Sequence, residues 1–264
     1  LRLLEIVAGG EVSPEKIELV SKFCDINLGK EVVVCNDTPG FIGNRIGTYW
    51  TLIGMIEAIK LGLTVEEADA IMGRPIGAPK TGIFGLVDVV GLDLIPHVTE
   101  SMSTNLPKND MYNIGVKEQS ELGIDKMLSK MINEGYTGRK GKGGFYRLNQ
   151  DSGKRIKESR NLKTGNYSKA TKKVALESIK AGKKGLKAVV THEDKGGEYA
   201  WKVISKTLAY AASLVPEITQ NIVNVDMAMK NGFLWKKGPF EMLDSMGPSW
   251  FAEKLKSEGI DVPI

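Results

Sequence analysis

The side chains able to do chemistry in this chain are few and unevenly placed. Glu5 stands inside an apolar run, Leu3-Leu4-Glu5-Ile6-Val7. A carboxylate buried there needs a partner for its charge; the plainer reading is a surface glutamate on an edge strand. Asn44 ends the stretch Asn36-Asp37-Thr38-Pro39-Gly40-Phe41-Ile42-Gly43-Asn44 and falls near the start of an expected long helix. Its amide donates and accepts hydrogen bonds without changing charge, and the positive end of a helix favours developing negative charge. Asparagine is a mediocre helix former, so propensity alone does not explain it, although it could be an ordinary polar residue on that helix. Lys140 sits in a basic, glycine-rich turn, Gly138-Arg139-Lys140-Gly141-Lys142-Gly143-Gly144. The chain has two histidines, His97 and His192, and neither lies in a motif that would make it a general base. Neither Gly9-Gly10 nor the glycines of 141–144 follow a strand and open a helix as dinucleotide binding requires.

The elements that must position these groups are mostly helical. Residues 3–8 form a β-like run ending at Gly9-Gly10, and Ser13-Pro14 caps and opens a helix to about residue 28. The β-branched run EVVVC at 31–35 reads as a buried strand. Thr38 is expected to cap, and Pro39 to open, a long helix over 41–61, with Pro39 and Gly40 setting the bend and Gly62 past its end. Thr64 and Glu67 form a capping box for a helix to about residue 72. Short helices follow over 83–90 and 92–102, a further one over 121–133, then a glycine-rich turn over 135–144. Beyond a basic stretch, helices are expected over 198–214, 216–231, 239–245 and 248–257.

The later helices repeat the earlier ones. Phe84, Asp88 and Gly91 match Phe240, Asp244 and Gly247 in a strict Phe-x-x-x-Asp-x-x-Gly pattern. Asp69 lies 22 residues before the closing glycine of its copy and Asp226 lies 21 before its own. A duplicated helical domain accounts for both.

Composition bounds the rest. With 264 residues, 42% apolar and 26% charged, the chain can bury a proper core, and no apolar run approaches the ~20 residues a membrane helix needs. Cys24 and Cys35 make neither a disulfide framework nor a metal spacing, which suits a reducing, cytoplasmic setting. The opening residues, lacking a basic leader and a cleavage site, are not expected to be a signal peptide, and a start without Met on a strand-like run reads as a fragment boundary. The net charge of +4 is uneven: residues 147–190 hold 13 Lys and Arg against 3 Asp and Glu. Such a strip could meet nucleic acid, anionic lipid or a coenzyme's phosphates. With Tyr167 as its one aromatic, it reads first as a solvated linker, and nucleic-acid binding gets little support.

The stretch from Asn36 through Arg45 resembles the signature that opens the helical domain of 3-hydroxyacyl-CoA dehydrogenases. The first seven residues resemble the strand after that family's catalytic histidine, and Gly138 through Tyr146 resembles the glycine-rich motif closing its helical domain. Tandem helical repeats are similar to those of multifunctional fatty-acid β-oxidation proteins. The resemblance implies a mainly α chain: a duplicated 6-phosphogluconate-dehydrogenase-like C-terminal helical domain, preceded by the last strand–helix–strand of a Rossmann domain. The implied domains are 1–36 for that remnant, 37–147 for the first helical domain, 148–192 for the basic linker and 193–264 for the second repeat. The implied activity is NAD-dependent oxidation of (S)-3-hydroxyacyl-CoA to 3-ketoacyl-CoA. Proton loss from the hydroxyl calls for a histidine base, and a carboxylate behind it fixes the tautomer and stabilises the imidazolium; Glu5 holds that place.

Asn44 matches the family's asparagine at the substrate's thioester carbonyl and reacting oxygen. Lys140 matches a lysine near the NAD cofactor, although Gly141 and Lys142 depart from the usual threonine and glycine. Asn231 stands where multifunctional members carry a substrate-touching tyrosine. The base and most of the NAD cradle would precede Leu1, so the chain alone is expected to be inactive, supplying the substrate-side and dimerisation surfaces. Its implied partners are acyl-CoA, its own nucleotide-binding domain, a second copy in a homodimer and a fused enoyl-CoA hydratase domain. Two other readings stay open. One is a non-catalytic helical dimerisation module. The other is a different β-hydroxyacid dehydrogenase with a lysine base, for which Lys60 lies too far down the helix from Asn44.

Overall fold

The computed structural model describes residues 2–7, 9–10, 12–150 and 153–263; Leu1 and Ala8, the two ends of the expected apolar opening run, lie outside them. The chain divides into two compact units, one of residues 1–49 and 204–264 and the other of residues 50–203. Among the described residues no helix is long and apolar enough to cross a membrane.

The first unit starts from two parallel strands, β1 (Leu3–Val7) and β2 (Glu31–Cys35), in register from Leu3 opposite Glu31 to Val7 opposite Cys35. The crossover between them is α1 (Pro14–Lys22), continued by a wider helical turn over Phe23–Asn27. Ser13 stands at the cap position, but its side chain makes no capping bond. After β2 the chain turns through Gly40 and Phe41, both at positive φ (76° and 50°), into α2 (Gly43–Lys60). The expected cap on this helix is absent: Thr38 Oγ1 is buried with no hydrogen-bond partner among the described residues. The later elements are the end of α10 (Lys195–Ser213), then α11 (Ile222–Gly232), α12 (Pro239–Met246) and α13 (Pro248–Ser257). The helix expected from 216 begins only at Ile222, because Asn221 is the residue whose side chain caps it, accepting from Val223 N–H at 3.0 Å. Helix α11 lies on the strand pair: Asn224 Nδ2 donates to Val34 O at 3.0 Å, and Gly232 approaches Leu3.

The second unit holds α3 (Val65–Ile71), α4 (Phe84–Val90), α5 (Leu94–Asn105), α6 (Met111–Glu121) and α7 (Ile124–Asn133). Local signals act here as expected. Gly62 at φ 64° ends α2 while Leu63 N–H reaches back to Ala58 O at 2.9 Å. Thr64 and Glu67 exchange both capping-box bonds, at 3.2 and 2.9 Å. Helix α6 has no counterpart in the sequence reading.

The basic stretch read as a solvated linker is in good part folded. It carries a three-stranded antiparallel sheet, β3 (Tyr146–Asn149), β4 (Ile156–Arg160) and β5 (Tyr167–Lys169), then short helices α8 (Glu177–Ala181) and α9 (Leu186–Val190). Glu66 on α3 fastens this sheet, accepting from Ser159 Oγ at 2.7 Å and Thr171 N–H at 2.8 Å.

Candidate functional site

Glu5 projects from the middle of β1, half-buried, and its Oε1 accepts hydrogen bonds from the N–H groups of Ile42 and Gly43, at 2.8 Å each. These donors belong to the first turn of α2, whose N–H groups have no partner within the helix. The carboxylate therefore caps α2 from a strand 37 residues away, a place where the macrodipole favours an anion. Gly43 packs directly on this carboxylate, a Cβ there lying in ordinary contact at 3.7 Å from Oε2 and 3.4 Å from a Leu3 methyl. Among the described residues Oε2 accepts no hydrogen bond.

Asn44 is the next residue on α2 and its side chain is exposed. Its carbonyl accepts from Thr48 Oγ1 at 2.6 Å. Arg45, the next residue, is fully buried. Its Nε donates to Tyr210 Oη, and its Nη1 meets Pro39 O at 3.4 Å and Glu217 Oε1 at 3.3 Å. A buried guanidinium needs such partners, and these tie the bend before Asn44 to the end of α10. Sequence reading assigned Arg45 no part; its spacing with Ile42, Ile46 and Tyr49, all buried, was the available signal.

Asn231 lies in the last turn of α11, half-buried, with its Nδ2 donating to Met227 O at 3.0 Å. The next two residues dock on the same neighbourhood: Gly232 against Leu3, and the Phe233 ring against Gly47, one turn after Asn44. Glu5, Asn44 and Asn231 thus come from three elements that pack on one another within the first unit. Cys35 closes the sheet beside them, with its Sγ donating to Ile6 O at 3.7 Å. Burial, and then the charges of Glu5 and Asp37, push its thiol up to about 12. It stays protonated at neutral pH and supplies no nucleophile.

Lys140 belongs to the second unit. Its Nζ is paired with Asp93 at 2.8 Å, and that lysine holds the exposed Asp93 carboxyl below the usual range. The loop carrying it is fixed by Asp88, whose Oδ1 and Oδ2 accept from Phe145 N–H at 2.7 Å and Tyr146 N–H at 2.8 Å. His97 is exposed on α5, and His192 Nδ1 accepts from Asp194 N–H at 3.2 Å.

The repeat seen in sequence becomes a repeated contact. Asp69 accepts from Phe84 and Gly85 N–H, at 2.7 and 3.0 Å, at the start of α4. Asp226 accepts from Phe240 and Glu241 N–H, at 2.8 and 3.2 Å, at the start of α12. Asp69 also accepts from Tyr146 Oη at 2.9 Å, a contact across 77 residues that no local pattern signals. Burial pushes the Asp69 carboxyl up to about 7 against the pull of these bonds, and Asp88 and Asp226 up to about 6 for the same reason.

Residues 40–148 match the family described as 3-hydroxyacyl-CoA dehydrogenase, C-terminal domain. A Bacillus subtilis protein named "Probable 3-hydroxyacyl-CoA dehydrogenase" is 38% identical over 100% of this chain and 32% of its own length. A Rickettsia felis protein bearing the name fatty acid oxidation complex trifunctional enzyme is 39% identical over 92% of this chain and 32% of its own length. The chain thus spans about a third of the length of these relatives. The crystal structure of 3-hydroxybutyryl-CoA dehydrogenase from Escherichia coli K12 shares its fold, with a TM-score of 0.60 and 16% identity, covering 100% of this chain and 66% of that one. The signature beginning around Asn36 and the glycine-rich motif at 138–146 bracket the matched region. By that match residues 40–148 belong to the 3-hydroxyacyl-CoA dehydrogenase C-terminal domain family.

Proposed function

We propose that this chain is the substrate-side part of an NAD-dependent 3-hydroxyacyl-CoA dehydrogenase of fatty-acid β-oxidation. The reading rests on Glu5: one oxygen is pinned by two backbone N–H groups, the other is unshared among the described residues, and Asn44 stands exposed beside it. A carboxylate fixed in this way can receive an imidazole N–H, hold its tautomer and stabilise the imidazolium formed when the hydroxyl proton leaves. Asn44 would donate to the thioester carbonyl and the reacting oxygen, and Asn231 would border the acyl group once its amide turns from Met227.

No glycine fingerprint opens α1 among the described residues. The turn after β1 puts Ser13-Pro14, not glycine, at the start of α1, and the Lys140 ammonium is engaged by Asp93. NAD, which would accept the hydride, is assigned to a nucleotide-binding domain outside the chain. Residues 1–36 would be the end of that domain. The exposed Leu19, Phe23 and Ile26 on the crossover, 69%, 54% and 76% exposed, are surfaces a larger α/β sheet would cover. Residues 37–147 and 193–264 would be the two helical domains, with 148–192 joining them. The name of the rickettsial relative supports a multifunctional protein with fused partner domains; a hydratase among them, and a homodimer, are what the family resemblance implies.

Assay with acetoacetyl-CoA and NADH tests this. The 264-residue chain should show no turnover, and the longer protein should be active. In that protein Glu5→Gln should lower kcat by about 10²-fold with KM little changed. Normal turnover by the chain alone, or an unchanged kcat in Glu5→Gln, overturns the proposal.

A further inference from the structure

The second unit contains a wide cleft of about 1160 Å³, bounded by α3, the glycine-rich loop and the sheet β3–β5. Eight cations line it. Lys142, Arg147 and Lys157 are engaged by Glu134 O, Glu158 and the Tyr146 ring; the other five come from four places in the chain: Lys80 before α4, Arg139 on the loop, Arg155 at the edge of β4, and Lys169 and Lys172 at the end of β5. None of these five makes a side-chain hydrogen bond or ion pair with another described residue, and all five are exposed. A run of lysines in sequence is ordinarily solvated surface. Convergence from separate segments on one concavity differs, because the low-dielectric walls of a cleft focus their field.

The acidic groups lining the cleft are already committed. Glu66 holds Ser159 and Thr171. Asp69 receives the start of α4 and Tyr146 Oη, and Asp88 receives the loop's N–H groups. Tyr146 lines the cleft too, but Lys157 Nζ sits 3.8 Å from the centre of its ring. One face of the ring thus already carries an ammonium, which leaves a base less to stack on and disfavours single-stranded nucleic acid. Lys140 is not among the lining residues; it points to Asp93.

The geometry points to a binding site in this cleft for a small phosphorylated anion, recognised through a diphosphate-type group and not through a base. The site does not depend on the dehydrogenase reading. A free diphosphate, a nucleoside diphosphate and coenzyme A all carry that chemistry.

Calorimetric titration of the 264-residue chain with inorganic pyrophosphate, ADP, coenzyme A and duplex DNA, at about 0.1 M salt, tests it. Pyrophosphate should saturate one site, and ADP should bind within about threefold of it because no base is stacked. Coenzyme A binding more than about tenfold tighter than either would identify the coenzyme as the source. The double variant R155E/K169E should weaken pyrophosphate by at least about tenfold, whereas K183E/K184E, outside the cleft, should change it less than about twofold. Should R155E/K169E not fold, the amides shifted by pyrophosphate in NMR spectra of the unaltered chain decide: changes centred on Gly143, Tyr146 and Thr171 uphold the site. Absence of saturation, equal loss in the two variants, tighter binding of duplex DNA than of pyrophosphate, or amide changes centred elsewhere overturns it.

Discussion

At the scale of single residues, the candidate site separates side chains that hold structure from those that do not. Asn44 is exposed and its side chain supports no neighbour, so replacing it by alanine should leave Tm unchanged or slightly raised, alanine being the better helix former by several tenths of a kcal/mol. In the longer protein the same Asn44→Ala change should lower kcat/KM by about 10²-fold. A loss of stability without loss of turnover would show Asn44 to be an ordinary helix residue. Glu5 behaves differently, because Glu5→Ala strands the N–H groups of Ile42 and Gly43. That change should cost about 1–3 kcal/mol in urea unfolding. Glu5→Gln keeps an oxygen acceptor and should cost less than about 1 kcal/mol, the share owed to charge at the helix end. Glu5 and Asn44 were both readable as unusual in the sequence. Their relation was not, because the donors lie 37 and 38 residues from Glu5 and Thr38 offered a nearer cap. The bond that won places full negative charge at the helix end, which a hydroxyl cannot do.

At the scale of elements, the duplicated helix starts share one construction: an aspartate from the preceding helix caps the next, and a glycine lets the chains touch. A Cβ at Gly82 would fall 2.4 Å from Asp69 Cα, and one at Gly238 would fall 2.2 Å from Asp226 Cα. Both contacts are with backbone, so Gly82→Ala and Gly238→Ala should each cost at least about 2 kcal/mol by urea titration. Equal Cm values for either variant and the parent would contradict the shared construction. Gly47→Ala is a sharper case. Inside an exposed helix that change usually gains about 1 kcal/mol, but here the new Cβ meets Phe233 Cζ at 1.9 Å. It should therefore destabilise, and should move Phe233 away from the turn after Asn44. The repeat, the strands β1 and β2 and the box at Thr64 were legible because their signals are local. Helix α6 was not, since Asn113 and Gly115 interrupt its apolar pattern and only Tyr112, Gly115 and Gln119 are buried. The sheet β3–β5 was hidden for a related reason. Its buried residues include Ser159 and Arg160, and its strands sit in a segment whose charge suggested solvent.

At the scale of the whole molecule, stability should depend on pH in an uncommon direction. Asp69 is pushed up to about 7, and Asp88 and Asp226 to about 6, in each case mainly by burial. In the unfolded chain these groups ionise near the ordinary aspartate value, about 3.9. Between that value and their folded values the native state holds protons that the unfolded state has lost. Stability then falls as pH rises through this window. Carboxyls held low act oppositely: Glu67, paired with Lys195, and Asp194, at the start of α10, support the fold above their ordinary values and lose that support in acid. Together they place the stability maximum at about pH 5. Urea unfolding should give a lower Cm at about pH 7.5 than at about pH 5, with a difference on the order of a few kcal/mol in ΔG. Asp69→Asn removes the largest titrating group; its amide cannot accept from Gly85 and Tyr146 together with Phe84, so the variant should be less stable at both pH values. Its pH slope should nevertheless be shallower than the parent's. A parent Cm that rises from about pH 5 to about pH 7.5 would mean that the helix ends hold these aspartates ionised and that burial does not govern them.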